Sequence, residues 1–325
     1  MKAWNTWEKL LLALLVLLLI GFSILQPGFM SPYALADSTF NFSEKGILAL
    51  ALALLIVTGE IDLSIAAILA LSSLAMGFAM RAGAGPLVMT LAAFATGAVA
   101  GGINGWLVTR YALPSIVVTI GTLSLYRGLA MVALGDKSIA GYPDVFATLG
   151  NSYLSDLTGL SWMILPIEFF VLLVCAAVVG VFLHRTVSGR HLYAMGANPV
   201  ASRFSGIEVD RYRFFLFVFS GLMAALAAVM LTGRIGSTRP NIAMGWELDA
   251  ITMVILGGVA IEGGRGSMVG VMLAVLILGL FTFGLGMANV SGIVMSMIVG
   301  ILLIVAMILP SLFRGPKKFA RSVRS

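Results

Sequence analysis

Two carboxylates lie in the otherwise apolar segment VTGEIDLSIA, residues 57–66. Glu60 and Asp62 are flanked by the uncharged runs GILALALALLIV and AAILALSSLAMGFAM. Ionisable side chains at membrane depth are costly unless they are paired or hydrated, and they often mark an ion or solute pathway. Two interpretations follow: the carboxylates line a polar path, or Asp62 and Ser64 accept hydrogen bonds from free N–H groups where the next helix begins.

A second acidic group occurs in GWELDAITMVILGGVAIEGGRGS, residues 245–267. Glu247 and Asp249 open an apolar run, which ends in five glycines within residues 257–266, beginning with Gly257 and Gly258. These glycines predict a tight turn or a broken helix. Glycine-rich loops can cradle phosphates, but the pattern GxxxxGK[ST] is absent from the chain and no strand precedes the stretch. The sequence therefore argues against nucleotide binding by this chain.

Catalytic and metal-binding patterns are missing from the sequence. The two histidines, His184 and His191, lie seven residues apart in one basic segment, and neither HExxH nor GxSxG occurs. The single cysteine, Cys175, can form no intrachain disulfide and belongs to no zinc-binding cluster. We therefore expect no catalytic residue, no metal site and no enzyme activity.

The composition places these residues in a membrane protein. Of 325 residues, 60% are hydrophobic and 10% are charged, whereas soluble proteins carry about 25% charged residues. The expected fold is an all-α polytopic membrane protein, a single transmembrane domain over residues 1–325. Ten helices are predicted near 7–26, 44–58, 62–80, 87–111, 114–134, 164–183, 213–231, 248–262, 268–286 and 290–310.

The second and third predicted helices are short for complete crossings. Together they have about 34 residues, from Ile47 to Met80, where two crossings need about 40. We therefore expect a broken or shallow helix that buries the turn containing Glu60 and Asp62. The fourth helix carries Gly97, Gly101 and Gly105, whose spacing allows close helix packing, either within the chain or between two chains.

Charge asymmetry predicts the orientation. Residues 135–162 contain one Lys, no Arg and three Asp, whereas residues 184–213 contain five Arg and the tail 311–325 contains five Lys or Arg. The positive-inside rule therefore predicts that both termini and residues 184–213 are cytoplasmic and that 135–162 is external. We call residues 184–213 the basic loop. Its sequence predicts two short helices with a break near Asn198–Pro199. The apolar face of these helices is expected to pack on a partner protein or on lipid.

Several motifs together resemble the permease subunits of bacterial ATP-binding-cassette importers of the ribose, xylose, arabinose and galactose class. The resemblance covers roughly residues 44–310 in the expected order. TGEIDLS is similar to that family's T-G-G-I-D-L-S signature, and GRHLYAMGANPVASRFSGIEV is similar to its coupling segment. LPSIVVTIGTLSLYRGLA and GWELDAITMVILGGVAIEGGRGS resemble two further blocks of the family.

The resemblance implies three partners and a division of labour. A separate ATPase subunit would bind ATP and dock on the coupling segment, at Gly189, Arg190, Gly196, Asn198, Ala201, Gly206 and Ile207. A soluble binding protein would deliver the sugar, and a second copy or a related permease would complete the translocation path. The chain itself would hold no cofactor and would lie in the bacterial inner membrane.

Residue roles within the importer follow from the same resemblance and from sugar chemistry. Asp62 and Glu247 are predicted anchors of the gating elements, which also contain Glu60, Ser64, Asp249, Gly257 and Gly258. A sugar path needs hydrogen-bonding and aromatic side chains. The predicted liners are Asn104, Thr119, Thr122, Ser124, Tyr126 and Asn241.

The sequence departs from the family pattern in the acidic segment. Glu60 replaces the usual glycine, and Ala66–Ala67 follows where Val-Gly is usual, which suggests a subgroup with another sugar, such as rhamnose or the autoinducer-2 signalling sugar. The alternative from another class is an ion-coupled secondary transporter that uses Glu60 and Asp62. That transporter would need no ATPase and no coupling segment.

Overall fold

The chain folds into a helical bundle with short helices at both ends. A computed structural model describes residues 6–313, with the side chains of residues 6–305. The described helices are α1 (Thr6–Leu25), α2 (Pro32–Phe40), α3 (Ser43–Val57), α4 (Ile65–Arg81), α5 (Pro86–Arg110), α6 (Ser115–Leu134), α7 (Asp144–Asn151), α8 (Leu154–Thr158), α9 (Ile167–Arg185), α10 (Val187–Ala197), α11 (Pro199–Phe204), α12 (Val209–Ile235), α13 (Trp246–Leu256), α14 (Met268–Met287) and α15 (Gly292–Phe313).

Two strands of two residues join distant loops. Strand β1 (Ile139–Ala140) pairs antiparallel with β2 (Ser237–Thr238), in the register Ile139 to Thr238 and Ala140 to Ser237. The pairing ties the segment after α6 to the segment after α12. We call this end of the bundle, which carries residues 135–166, the opposite end; the end that carries residues 184–213 is the basic end.

Each of the ten predicted membrane helices has a counterpart, but their lengths differ. Six described helices are long and apolar enough to cross a membrane: α1, α5, α6, α9, α12 and α14. A seventh crossing arises if α2 and α3 form one span, bent by 56°. Helices α4, α13 and α15 are shorter in their described apolar parts. The chain is therefore a multi-pass helical membrane protein, but ten full spans are not established.

The bend between α2 and α3 occurs at Asn41–Phe42. The Phe42 ring lies against Gly279 of α14, where an added Cβ would stand 2.2 Å from the ring. The break lets α3 enter the centre of the bundle, where every residue from Ile47 to Val57 is buried. The expected break within residues 44–80 is not found: α3 and α4 are each continuous, and the bend lies before α3, at the end away from the acidic segment.

Helices α5 and α12 pack at backbone distance. An added Cβ at Gly97 would lie 2.2 Å from the Gly221 carbonyl oxygen, and one at Gly101 would lie 2.2 Å from that of Phe217. The small-residue stripe of α5 therefore packs within the chain. Close approach of this kind lets van der Waals contacts hold helices together where lipid gives little drive for association.

The basic loop forms the two short helices that its sequence predicts. Helix α10 ends at Ala197 and α11 begins at Pro199, so the break lies at Asn198. Thr186 caps α10 and Asn198 caps α11 through their side chains. Of the predicted tail 311–325, residues 314–325 lie outside the described residues, as does Lys2 at the other terminus.

Candidate functional site

The acidic turn, residues 58–64, joins α3 to α4, and its polar side chains Thr58, Glu60, Asp62 and Ser64 are buried. Asp62 Oδ1 accepts hydrogen bonds from the Ser64 backbone N–H at 2.9 Å and from the Ser64 hydroxyl at 2.6 Å. Its Oδ2 accepts from the Ser220 hydroxyl of α12 at 2.8 Å. Asp62 thus braces the turn that leads into α4 and ties it to α12, whereas the Ser64 side chain caps no N–H group of α4.

Helices α5 and α6 hold the same turn from the other side. Asn104 Nδ2 donates to the Ser64 hydroxyl at 2.7 Å, and the Tyr126 hydroxyl donates to Asn104 Oδ1 at 3.4 Å. The Ile61 carbonyl accepts a hydrogen bond from Thr119 Oγ1 at 3.3 Å. Three of the predicted path residues, Asn104, Thr119 and Tyr126, are therefore brought together with the acidic turn.

The remaining predicted path residues lie apart from the turn. Thr122 is buried in α6 and donates to the Thr119 carbonyl at 3.4 Å. Ser124 is exposed on α6, and Asn241 is exposed in the segment between β2 and α13. No hydrogen bond links the side chains of Thr122, Ser124 and Asn241 among the described residues. The structure therefore brings together only three of the six predicted path residues.

Glu60 pairs with an arginine that the sequence did not single out as its partner. The distance from Glu60 Oε1 to Arg213 Nε is 2.8 Å, and both side chains are largely buried. Arg213 is the last residue of the basic loop and lies in the first turns of α12. The acidic turn and the basic loop are therefore joined by an ion pair as well as by packing.

The glycine-rich loop, residues 257–267, lies between the acidic turn and α10. The Gly264 N–H donates to the Val57 carbonyl at 2.8 Å. An added Cβ at Gly196 of α10 would lie 1.9 Å from the Val57 oxygen and 2.3 Å from the Gly264 nitrogen. One at Gly263, which has φ +85°, would lie 2.8 Å from the Gly59 nitrogen. Three backbones thus meet with no room for a side chain.

Hydrogen bonds reinforce this junction from α9 and α10. The Tyr193 hydroxyl donates to the Gly266 carbonyl at 2.8 Å, and the Met268 N–H donates to His184 Nε2 at 3.1 Å. Burial raises the pKa of Tyr193 to about 12, so its hydroxyl keeps the donated proton near neutral pH. His184 and Tyr193 therefore anchor the glycine-rich loop to the basic loop.

The start of α1 closes the junction. Trp7 Nε1 donates to the Leu256 carbonyl at 3.0 Å, and its ring covers Gly258, where an added Cβ would lie 2.6 Å away. The Ser267 hydroxyl donates to Glu8 Oε1 at 2.5 Å. Gly257 packs against Val271 of α14, where an added Cβ would lie 2.6 Å from its Cα. Gly257 and Gly258 therefore permit close contacts on both sides of the loop.

Glu247 and Asp249 lie at the other end of α13, away from the acidic turn. Asp249 Oδ2 is 2.5 Å from Lys45 Nζ, which lies 5.1 Å from the centre of the Trp246 ring. The pair joins α13 to α3. Glu247 interacts electrostatically with Arg127, whose guanidinium donates to the carbonyls of Ala66, Pro240 and Ile242.

The other predicted residues of the coupling segment shape its two helices. An added Cβ at Gly189 would lie 2.1 Å from the Leu183 carbonyl oxygen, and Gly206 adopts φ +83° after α11. The Ile207 N–H donates to the Ser202 carbonyl. Arg190 and Ala201 are exposed, and Phe204 at the end of α11 is 90% exposed. The segment therefore has a packed inner face and a partly apolar outer face.

Sequence reasoning missed a buried charge cluster at the opposite end. Glu44 opens α3, Glu168 opens α9 and Arg234 lies in the last turn of α12, with Arg234 Nε 2.8 Å from Glu44 Oε1. The signal was available, since each of the three is a charged residue at an end of an apolar run. Among the described residues, no group of His, Cys, Asp and Glu side chains could hold a metal ion.

Comparison with known proteins identifies the family to which the chain belongs. The profile of a family described as branched-chain amino acid transport system, permease component, matches residues 35–307. The chain belongs to this permease family. It is a membrane permease subunit, a translocation component and not an enzyme, as the sequence predicts. Permeases of this family imply an ATPase and a solute-binding protein as partners.

Named relatives match along nearly the whole chain. The ribose import permease protein RbsC of Bacillus subtilis (strain 168) is 34% identical over 296 residues, which cover 91% of this chain and 90% of that protein. The autoinducer 2 import system permease protein LsrD of Escherichia coli (strain K12) is 35% identical over 308 residues, covering 93% and 91%. LsrD of Shigella flexneri gives the same figures. No solved structure matches the chain.

Proposed function

We propose that this permease imports a monosaccharide or a related small polyol across the bacterial inner membrane, driven by ATP that a separate subunit binds and hydrolyses. The substrate class rests on the similarity to RbsC and LsrD, which are named for ribose and autoinducer 2. We further propose that both termini and the basic loop are cytoplasmic, in line with the five arginines of that loop.

The observation that carries the proposal is the continuous contact from α10 to the acidic turn. Gly196 touches both Val57 and Gly264 at backbone distance, so α10 cannot move without displacing the ends of α3 and the glycine-rich loop. Packed backbones transmit movement as discrete rearrangements, because interiors are dense and deform little. An ATPase that pulls on α10 and α11 would thereby move the elements that close the path.

The partner is expected to bind the outer face of α10 and α11. Phe204 is 90% exposed and Val200 is 58% exposed there, and exposed apolar side chains clustered on one face mark a protein interface. A second permease copy or a related permease would complete the translocation path. The alternative, an ion-coupled transporter, would use the Glu60 and Asp62 carboxylates to bind its ion. Both are already engaged within the chain: Asp62 accepts hydrogen bonds from Ser64 and Ser220, and Glu60 forms an ion pair with Arg213.

The test replaces Phe204→Ser in the tagged chain, with Trp162→Ser as the matched control. Trp162 is also an exposed aromatic residue, at 74%, but it lies at the opposite end. Two quantities are measured in cells: uptake of labelled ribose and of labelled autoinducer 2, and the amount of ATPase subunit that co-purifies in mild detergent. Phe204→Ser should lower uptake and co-purification together, about tenfold if the ring is an interface hot spot; Trp162→Ser should change neither.

The outcomes separate the partner from the substrate. If Phe204→Ser reduces ATPase recovery but neither compound is taken up by the wild type, the coupling proposal stands and neither ribose nor autoinducer 2 is the substrate. If uptake by the wild type is lost on collapse of the ion gradient while cellular ATP is maintained, the ATP-driven proposal is wrong. Full ATPase recovery with Phe204→Ser would remove α11 from the interface.

A further inference from the structure

A charge cluster at the opposite end takes no part in the junction described above. It contains Glu44 in the first turn of α3, Glu168 in the first turn of α9 and Arg234 in the last turn of α12. The Glu44 and Glu168 side chains have no exposed surface, and Arg234 is 21% exposed. Three helices that are far apart in sequence therefore bring two carboxyl groups to one guanidinium.

The arginine does not satisfy both carboxyl groups. Arg234 Nε donates to Glu44 Oε1 at 2.8 Å, whereas Glu168 Oε2 lies 3.6 Å from the same nitrogen. Glu44 Oε2 and both oxygens of Glu168 are buried and accept no hydrogen bond from a donor of the described protein. Both carboxyl groups therefore converge on one guanidinium nitrogen, Glu44 at 2.8 Å and Glu168 at 3.6 Å.

The chemistry of this pair requires one more positive charge. Two ionised carboxylates only accept hydrogen bonds, so they cannot bond to each other. With both ionised, the cluster would carry a net negative charge among apolar helices, where an uncompensated charge is costly. A single proton removes the excess charge and supplies the missing donor. We propose that the Glu44–Glu168 pair is a proton-binding site, with one proton held between the two carboxyl groups in the folded protein.

Other charges at this end are engaged elsewhere or exposed. Lys45, the neighbour of Glu44, pairs with Asp249 of α13, and the Glu247 carboxylate interacts with Arg127. Asp37 of α2 accepts a hydrogen bond from the Tyr153 hydroxyl. The charged groups of α4 and α7 at this end, together with the arginine that follows β2, are exposed: Arg81, Asp144 and Arg239. Among the described side chains, Arg234 is the one cation within 4 Å of either carboxyl group.

The proton site supports the packing of α7 on the bundle. An added Cβ at Gly150 of α7 would lie 2.3 Å from the backbone nitrogen of Arg234, and Asn151 Nδ2 donates to the Arg234 carbonyl at 3.2 Å. An added Cβ at Gly233 of α12 would likewise lie 2.3 Å from the Phe146 carbonyl oxygen of α7. Loss of the proton would leave Arg234 with two competing carboxylates and would loosen the helix ends that carry α7.

The stability of the folded protein should then depend on pH with a defined sign. Free glutamate is ionised above pH about 4.3, so near neutral pH the folded state binds one proton more than the unfolded state. Stability falls with rising pH wherever the folded state binds more protons, by up to about tenfold in the folding equilibrium per pH unit for one proton. Glu168→Gln removes this contribution because the amide is neutral at every pH and can donate to Glu44.

The proton can be observed directly in the infrared spectrum of the purified protein. A protonated carboxyl group has a C=O stretching band that an ionised one lacks. We expect this band at neutral pH in the wild type, its loss or reduction by one carboxyl group in Glu168→Gln, and its full retention in Glu262→Gln. Glu262 is an exposed glutamate and serves as the matched control. Glu44→Gln is the second variant if Glu168→Gln does not fold.

Thermal unfolding in detergent gives an independent measurement. The apparent unfolding temperature of the wild type and of Glu262→Gln should fall from pH 6 to pH 9 more steeply than that of Glu168→Gln. Absence of the infrared band from the wild type would overturn the proposal, as would a band unchanged in both Glu168→Gln and Glu44→Gln. Stabilisation by sodium chloride over the same concentration of choline chloride would assign the site to a metal cation and overturn the proton.

Discussion

Glu60 is the residue by which TGEIDLS departs from the T-G-G-I-D-L-S pattern that it resembles, and its carboxylate pairs with Arg213 at 2.8 Å. The side chains are 9% and 20% exposed. Such a pair contributes little net stability compared with two apolar residues, but removal of one partner leaves a charge without compensation. The added carboxylate and the arginine are therefore expected to depend on each other.

We predict that Glu60→Gln destabilises the protein more than the double substitution Glu60→Gln with Arg213→Gln. The reason is that the single change leaves the Arg213 guanidinium partly buried and unpaired. Neighbouring charges of this kind couple by about 0.5–3 kcal/mol. Apparent unfolding temperatures of the four members of the double-mutant cycle measure the coupling.

An exposed pair in the same region provides the control for that cycle. The Arg203 and Asp210 side chains are each 52% exposed, and Arg203 Nη2 lies 2.6 Å from Asp210 Oδ1. Because surface ion pairs contribute little to stability, Asp210→Asn should leave the unfolding temperature nearly unchanged. Strictly additive losses at Glu60 and Arg213 would show that the 2.8 Å pair has no energetic role.

At the residue scale, the sequence revealed which side chains are unusual but not which ones meet. Asp62 and Glu60 stand out because they interrupt an apolar run. Their partners Ser220 and Arg213 lie more than 150 positions away, at sites where serine and arginine are ordinary. Long-range pairing depends on how α12 lies against α4, which no local pattern encodes. For the same reason Glu44, Glu168 and Arg234 were not recognised as one cluster.

At the scale of elements, the decisive contact is the one between α10 and the end of α3. Gly196 lies in the last turn of α10, and the Val57 carbonyl that it approaches is the last of α3. We predict that Gly196→Ala separates these elements, because its Cβ would lie 1.9 Å from a backbone oxygen. Uptake should fall at least about tenfold, while the protein still reaches the membrane and still binds its ATPase through the outer face of α11.

Gly121→Ala is the matched control for Gly196→Ala. Gly121 is also a helical glycine, in α6, but an added Cβ would meet nothing within 4 Å. This change should be neutral or slightly stabilising, since alanine favours helix over glycine by about 1 kcal/mol. Normal uptake in Gly196→Ala would mean that α10 does not act through this contact.

Helix lengths show where sequence patterns are informative and where they fail. Each of the ten apolar runs coincides with a helix, although only six of the described helices are long and apolar enough to cross a membrane. They do not reveal that α2 continues into α3 through a 56° bend, since PYALADSTF contains Asp37 and reads as a surface segment. The bend is stabilised by the packing of the Phe42 ring against Gly279 of α14, which is a tertiary contact. The break between α10 and α11 at Asn198–Pro199, by contrast, depends on local sequence and was predicted.

At the scale of the whole molecule, the two ends of the bundle have different tasks. The basic end contains the acidic turn, the glycine-rich loop and α10, all joined by backbone contacts. The opposite end contains α7, α8 and the β1–β2 pairing, and α7 contacts the backbone of Arg234. This arrangement fits a path that is driven from one side and closed on the other. It requires that the two ends face different compartments.

We predict that a residue on α8 and one in the first turn of α12 are labelled from opposite sides of the membrane. Cys175, the single cysteine of the chain, is first replaced by Cys175→Ala. Leu157→Cys, at an exposed position of α8, and Arg211→Cys, at an exposed position of the basic loop, are then introduced separately. A membrane-impermeant maleimide should label the first in right-side-out vesicles and the second only in inverted vesicles, because the positive-inside rule predicts a cytoplasmic basic loop. The reverse pattern would invert the topology and remove the ATPase from the α10–α11 face, and labelling of both positions from one side would break the separation of the two ends.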